Sequence, residues 1–344
     1  MNMSEVHEIE FSVIIPVFHG GDFLRDLLQS LYKLDYPLNK YEVIVAGTSS
    51  DVGSRKIVEK EISHNKFNIT YISCSKSRKA VKLNSACTLA KGRFLFFVDD
   101  DCILLPNCLK NLGKVIKEKN DIGVIGGSDE LEASDSVFEL ALDCILNSFM
   151  GTGGLRKNAG VKVGKYYPKL WNMTVSKDVI ANMSLDKKNG RLQVFRESLT
   201  VYEDVDLIRR IEKTSKKIIY APEVAVKHSR NTNFFSFVKR NIKSVHTAKA
   251  LGIYFYPQMI LGLFVLWLMI GGILSFYLNS IRFLFLSSSA IYILLMFFIA
   301  IRGGLKHRRF QVVLYVPLLL FSLHFSRGFA YLILWPTQER EKLD

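Results

Sequence analysis

The chain predicts an α/β fold, a mostly parallel Rossmann-like sheet, followed by C-terminal transmembrane helices. Three observations carry that prediction. Between Phe11 and Gly127, short apolar runs rich in β-branched and aromatic residues alternate with helix-like segments. One such run, Phe94-Leu95-Phe96-Phe97-Val98, ends in Asp99, Asp100 and Asp101. After Tyr256 the composition turns strongly apolar.

The elements follow in order. Phe11 to Val17 reads as a strand ending at a turn, His19-Gly20-Gly21, and Asp22 is placed to cap a helix through Leu24, Leu27, Leu28 and Leu31. Tyr41 to Ala46 is a second strand, with a polar turn from Gly47 to Asp51 and a charged helix from about Ser54 to Ser63. Asn68 to Cys74 is a third strand. Ala80 to Lys91 reads as a helix ended by Gly92, ahead of the strand that leads into the acidic triplet. Ile122 to Gly127 is a further strand. Gly151 to Lys165, rich in Gly and Lys, reads as a mobile loop. Glu203 to Glu212 is a helix with acids in its first turn, where they suit the helix dipole. Lys217 to Ala221 is a strand. Asn233 to Leu251 alternates apolar with basic residues, the pattern of an amphipathic helix on a membrane surface or of a core-facing surface helix.

Three apolar segments come last: about Pro257 to Leu278, Ile281 to Ile301 and Gln311 to Trp335. Each reaches the roughly 20 residues that span a bilayer. Arg302, Lys306, Arg308 and Arg309 lie between the second and third, while the turn Asn279-Ser280 is nearly uncharged. Positive-inside bias puts the basic loop, and with it the N-terminal domain, in the cytoplasm. The third segment carries Pro317, His324 and Arg327, so it is either re-entrant or packed against protein, unless its ionisable groups snorkel to the interface. The expected domains are 1–232 catalytic, 233–256 interfacial, 257–335 membrane with about three spans, and 336–344 a polar tail.

With 344 residues the chain is long enough for more than one domain, and its net charge is +14. That charge suits nucleic acid, anionic lipid or phosphorylated substrates. Much of it lies beside the spans, where anionic lipid explains it, so no nucleic-acid partner is expected. Met1 to Glu10 has neither a basic nor an apolar leader region, so no signal peptide is expected. Five cysteines in no metal-binding spacing predict reduced thiols.

In open α/β sheets, ligands bind at the C-terminal edge of the strands, where the acidic triplet is placed. An Asp-x-Asp pair there suits a hard divalent cation, and the cation suits a diphosphate. A triplet of acids alone is equally a solvated turn. The chemistry around it adds weight: FSVIIPVF, KLNSACTLAKGRFLFFVDDD, YEDVDLIRRI and YAPEVAVKHSR occur in this order. Over residues 10 to 250 the chain resembles the inverting family 2 glycosyltransferases of the GT-A fold, in particular membrane-attached ones that build polysaccharides or lipid-linked glycans.

The resemblance implies a nucleotide-sugar donor, a UDP-sugar being favoured, and a divalent cation, Mn²⁺ or Mg²⁺. Asp99 and Asp101 would be the metal pair, with Asp99 or Asp100 nearer the ribose and His228 a third metal ligand. Pro16, Val17, Lys82 and Asn84 would line the donor. Asp204 would be the general base that takes the acceptor's proton, Glu203 would orient the site, and a single displacement would invert the sugar carbon. Arg240 and Lys243 fall where relatives carry a diphosphate-gripping motif, which here has Asn241 for Gln and Lys243 for Arg; Arg230 is another candidate. The acceptor would be lipid-linked or a glycan, reached at the cytoplasmic face of the plasma membrane, with membrane lipid as a further partner. Relatives end the second strand with an acid that contacts the base. Here the turn is Ala46-Gly47-Thr48-Ser49-Ser50-Asp51, so Thr48 or Asp51 would substitute. Two rivals stand beside this reading: a polyprenyl-phosphate glycosyltransferase, whose anionic nucleophile needs no base, and a non-catalytic membrane scaffold that binds nucleotide.

Overall fold

A computed structural model of the chain describes residues 9–18, 20–63, 68–153, 167–186, 192–229, 232–252 and 256–334. It divides into two compact units. The first holds residues up to 132 together with 166–229; the second holds 133–165 and everything from 230 onward.

The first unit is built on one sheet. In chain order its strands are β1 (Phe11–Pro16), β2 (Tyr41–Thr48), β3 (Asn68–Cys74), β4 (Phe94–Phe97), β5 (Cys102–Leu104), β6 (Ile122–Leu131), β7 (Met173–Ser176) and β8 (Lys217–His228). Their order across the sheet is β3-β2-β1-β4-β7-β6-β8-β5. The β1–β2, β1–β4, β2–β3 and β6–β8 pairs are parallel; β7 runs antiparallel to β4 and β6, and β5 antiparallel to β8. The mostly parallel sheet matches the expectation. Strands β5 and β7, three and four residues long, are too short to show a period and were not anticipated.

Both faces are covered, which is why these strands read as continuous apolar runs. Val13 and Ile15, Val43 and Val45, and Phe96 point to one layer. There they meet α1 (Gly21–Tyr32), α2 (Val52–Ser63) and α4 (Cys108–Glu118) through Leu24, Leu27, Val58, Leu109 and Leu112. Ile14, Ile44, Leu95 and Phe97 point to the other. There α3 (Lys79–Leu89) packs with Leu83 and Ala86.

Helix α1 begins two residues earlier than a cap at Asp22 would place it. Gly20 is its N-cap, and Asp22 lies in the first turn and pairs with Arg25 instead of capping. Gly20 has φ +60°, and a Cβ there would lie 2.5 Å from the Ser54 hydroxyl, so only glycine fits.

The second unit is helical. It contains α5 (Val137–Leu146) and α6 (Phe149–Thr152), which interrupt the first unit's sequence between β6 and β7. In the first unit, α7 (Lys177–Asn182) and α8 (Glu203–Ile211) follow β7. The second unit resumes with α9 (Phe234–Ala250), α10 (Tyr256–Leu266), a π turn (Trp267–Gly271), α11 (Gly272–Leu274), α12 (Asn279–His307) and α13 (Phe310–Leu334). Helices α12 and α13 are long and apolar enough to cross a bilayer. The first apolar segment is helical over Gln258–Leu274, a shorter stretch interrupted by the π turn. Among the described residues two helices reach spanning length, and the first of the three expected segments is helical over a shorter stretch.

Several charged residues of this unit have protein partners. Asp143 is 1% exposed and accepts from Lys306 Nζ at 3.2 Å and Asn147 Nδ2 at 2.8 Å; Arg309 pairs with Asp135 at 3.0 Å. Two cations of the α12–α13 turn thus hold the inserted α5 segment. His324 bridges Tyr292 Oη and the Met150 carbonyl, each at 2.9 Å, and Arg327 donates to Asn241 Oδ1 at 3.2 Å. Of the readings open for the third apolar segment, packing against protein is the one observed.

Candidate active site

The site forms where β1 and β4 part company. β1 connects to β2 on one side and lies against β4 on the other, a topological switch point, and the loops beyond the two strands face each other there. Asp100, fully buried, accepts from the backbone amides of Phe18 at 2.8 Å and Gly20 at 2.9 Å, and so ties the loop after β1 to the acidic triplet. Val17 continues the β1 ladder by donating to the Ala46 carbonyl, and its own carbonyl accepts from Lys82 Nζ. The Lys82 ammonium also lies 3.9 Å from the Phe18 ring centroid, and burial lowers its proton affinity. Pro16, Val17, Lys82 and Asp100 therefore form one connected patch.

Asp99 meets a residue that no motif pointed to. Lys79, at the first turn of α3, places its ammonium 2.5 and 2.8 Å from the two Asp99 oxygens. Burial works against its charge, but Asp99, helped by Glu203 and Asp204, holds the ammonium above the ordinary lysine range. Lys79 thus lies in the field of the triplet and of the Glu203–Asp204 pair together.

Asp101 faces β8. His228, the last residue of β8, is the register partner of Cys102, and its Nε2 lies 3.2 Å from Asp101 Oδ1. That contact lacks hydrogen-bond geometry: Asp101 Oδ1 and His228 Nδ1 are both buried without a hydrogen-bond partner. Asp101, Cys102 and His228 offer ligand atoms within 4.8 Å of one another. Buried oxygen and nitrogen donors left unsatisfied in one place fit a divalent cation. Burial pushes the Cys102 thiol well up. None of the five cysteines is in a disulfide. Trp171 stacks on the His228 ring, centroids 5.0 Å apart.

Helix α8 delivers Glu203 and Asp204 in its first turn. Its N-cap, Tyr202, has φ +67°, a left-handed conformation that a tyrosine rarely holds and that recurs at functional sites. The helix is clamped by Asp206, which accepts from Arg196 at 3.2 Å and from Arg210 at 3.1 Å, while Arg210 also reaches the Met183 carbonyl. Burial pushes the Glu203 carboxyl up, opposed by a backbone hydrogen bond and by Lys79. Asp204 Oδ1 accepts from the Val205 amide at 2.8 Å, and its Oδ2 lies 3.4 Å from Lys169 Nζ.

The remaining sequence candidates take other places. Asn84, fully buried, donates to the Phe195 carbonyl and Glu197 Oε1 and accepts from the Val194 and Phe195 amides. It fastens the segment 194–197 to α3. Asp51 Oδ1 accepts from the Ser54 amide at the start of α2, the position of a helix cap. The Thr48 hydroxyl is 3.1 Å from that of Ser50, and its carbonyl accepts from Tyr71 Oη. Arg240 and Lys243 lie on α9, in the second unit. Arg230 and nearly all of the loop Gly151 to Lys165 lie outside the described residues. Lys79, Lys169 and Trp171 carry no local signature: a lone cation or aromatic is legible only through what it faces.

The chain is similar to known proteins over much of its length. Residues 7–247 match the family described as "Glycosyltransferase like family 2". The poly(ribitol-phosphate) beta-N-acetylglucosaminyltransferase TarS of Staphylococcus aureus is 30% identical over 110 residues, 32% of this chain and 19% of TarS. The glycosyltransferase GlyG of Streptococcus pneumoniae is 22% identical over 222 residues, 61% of this chain and 67% of GlyG. The chain thus matches about a fifth of the length of the first relative and two thirds of the second. Among solved structures, the mannosyltransferase PcManGT of Pyrobaculum calidifontis, in complex with GDP-Man and Mn²⁺, superposes with a TM-score of 0.53 at 18% identity, covering 70% of this chain and 64% of that one. At that identity the likeness is one of fold.

Proposed function

The chain belongs to the glycosyltransferase-like family 2, and on that premise we propose that it transfers a sugar from a nucleotide-sugar donor, with inversion, to a lipid-linked or glycan acceptor at a membrane. One observation carries the reading. Lys79 ties Asp99 to the field of Glu203 and Asp204, so the diphosphate-side carboxylates and the proposed base belong to one charged centre.

The residues divide the work. The acceptor hydroxyl attacks the anomeric carbon while its proton passes to Asp204. The bond from that carbon to the diphosphate breaks, and the electron pair leaves with the nucleotide. Asp101 and His228 would hold the divalent cation, joined by Asp99 if Lys79 yields it. When bound, the cation supplies charge neutralisation for the leaving diphosphate. Glu203, largely buried beside Asp204, orients the acceptor side. Pro16, Val17, Lys82 and Asp100 shape the donor seat, and Asn84 supports it through segment 194–197. Thr48 or Asp51 meets the base, and a UDP-sugar is favoured. Arg240 and Lys243 enter as diphosphate contacts through the sequence resemblance alone. The two long apolar helices support membrane attachment, and the basic α12–α13 turn supports a cytoplasmic site at the plasma membrane.

The test is nucleotide diphosphate release from a panel of UDP-, GDP- and dTDP-sugars by the full chain in membranes, with Mn²⁺, Mg²⁺ or EDTA. Metal-dependent release from one donor, lost in Asp101→Ala, is the expected result. Asp204→Asn should lower kcat by about 10²–10⁴-fold without loss of nucleotide binding. Full activity in Asp204→Asn would favour an acceptor that is already an anion, such as a lipid phosphate. No metal-dependent nucleotide binding at all would sink the assignment.

A further inference from the structure

The short turn before β7, Lys169–Asn172, is built to present two side chains and bury two others. Leu170 is in the core, and Asn172 donates to the Ser128 and Val224 carbonyls at 2.8 and 2.7 Å. Gly127 makes room for that anchor. A Cβ there would lie 2.3 Å from Asn172 Nδ2 and 1.9 Å from the Val224 carbonyl oxygen. The Asn172 amide also closes the turn onto the Lys169 carbonyl at 2.8 Å. With residues 170 and 172 fixed inward, residues 169 and 171 face the site. Lys169 reaches Asp204 Oδ2 and Trp171 lies flat on His228.

We propose that this turn is a positioning element for both halves of the site: Lys169 sets the Asp204 carboxylate and Trp171 sets the His228 ring. It rests on the reading of Asp204 as base and His228 as a metal-side residue. Two features make the roles specific. Asp204 Oδ1 is occupied by the Val205 amide, so Oδ2 is the oxygen that meets the acceptor. Lys169 stands 3.4 Å from it with a side chain 37% exposed. That is a charge contact, not a tight hydrogen bond, and the ammonium can yield ground to an incoming hydroxyl while keeping the carboxylate in plane. His228 Nδ1 has no hydrogen-bond partner to fix the ring, so the Asp101 contact at Nε2 and the indole face hold it. Outer partners that orient a ligating histidine typically change metal affinity 10–100-fold when removed.

The experiment uses the full chain in membranes and four variants: Lys169→Met, Lys169→Arg, Trp171→Ala and Trp171→Phe. Mn²⁺ alone is the first probe, titrated and read by electron paramagnetic resonance. Trp171→Ala should weaken Mn²⁺ binding roughly 10–100-fold, Trp171→Phe should retain it within about threefold, and both Lys169 variants should match the parent. Steady-state nucleotide release from the best donor of the panel is the second probe. Lys169→Met should lower kcat about 10–100-fold with the donor KM within about threefold, and Lys169→Arg should recover most of it. A merely structural turn would move both readouts together in all four variants, and that result overturns the proposal. So does unchanged Mn²⁺ affinity in Trp171→Ala, or a Lys169→Met defect confined to KM. A parent that binds neither Mn²⁺ nor nucleotide removes the function proposed above and this inference with it. A parent that binds both while the variants behave alike removes only the inference.

Discussion

Lys79 Nζ lies 2.5 Å and 2.8 Å from the two carboxylate oxygens of Asp99, joining the first turn of α3 to the residue that follows the central strand run. Both side chains are about one-fifth exposed, so the pair is partly shielded from water. Removing one partner leaves the other poorly solvated, which costs more than removing both. Lys79→Met is therefore expected to destabilise the chain by about 1.5–3 kcal/mol, with Asp99→Asn in the same chain restoring part of it. A double-mutant cycle on chemical unfolding measures the coupling; additive effects would show that the pair contributes nothing.

Asn84 uses both ends of its amide inside the protein. Asn84→Ala strands the Val194 and Phe195 amides and the Phe195 carbonyl, and should cost about 3 kcal/mol of stability. Because the side chain is fully buried, nucleotide affinity measured below the melting transition should change far less than stability does. A large affinity loss at unchanged stability would instead place Asn84 on the donor.

Glu203 predicts a pH dependence. Burial raises its carboxyl above the ordinary value of 4.5. Above that pH the unfolded chain releases this proton more readily than the folded one, so the folded state binds more protons and stability falls as pH rises toward the folded value. Glu203→Gln removes that loss. The variant should melt higher than the parent at pH 7, with the gap closing below about pH 4.5. Equal melting temperatures across the range would contradict the burial argument.

Gly20→Ala meets two obstacles, a φ of +60° and the Ser54 hydroxyl 2.5 Å from the new carbon. The expected cost is roughly 1–3 kcal/mol. Adding Ser54→Ala should recover the steric part and leave the backbone part. Nucleotide affinity should fall with the single variant, because the Gly20 amide helps seat Asp100.

The sheet was legible because its signal is local. Val13 and Ile15 against Ile14, and Phe96 against Leu95 and Phe97, declare a strand buried on both faces within a few residues, and the acids that end the run must then lie at the strand's C-terminal edge. The same local rule showed the two long apolar helices. It could not show β5 and β7, which are shorter than any period, nor assign the apolar α5 to the helical unit. That assignment depends on α5 packing against α12 and α13, where Asp143 meets Lys306, 163 residues away.

Residue types alone determined which chemistry was available: carboxylates at a strand edge, an acidic helix start and a histidine ending a strand. Tertiary structure decided which of them act together. The sequence resemblance put Asn84 on the donor, whereas in the fold its oxygen accepts from the amides of Val194 and Phe195, 110 and 111 positions on. Asp51, Lys79, Lys169 and Trp171 received their roles the same way, from the groups set opposite them. A pattern along the chain encodes which way a side chain points, whereas ion pairs and ring contacts depend on distances of a few ångströms that only the folded backbone sets.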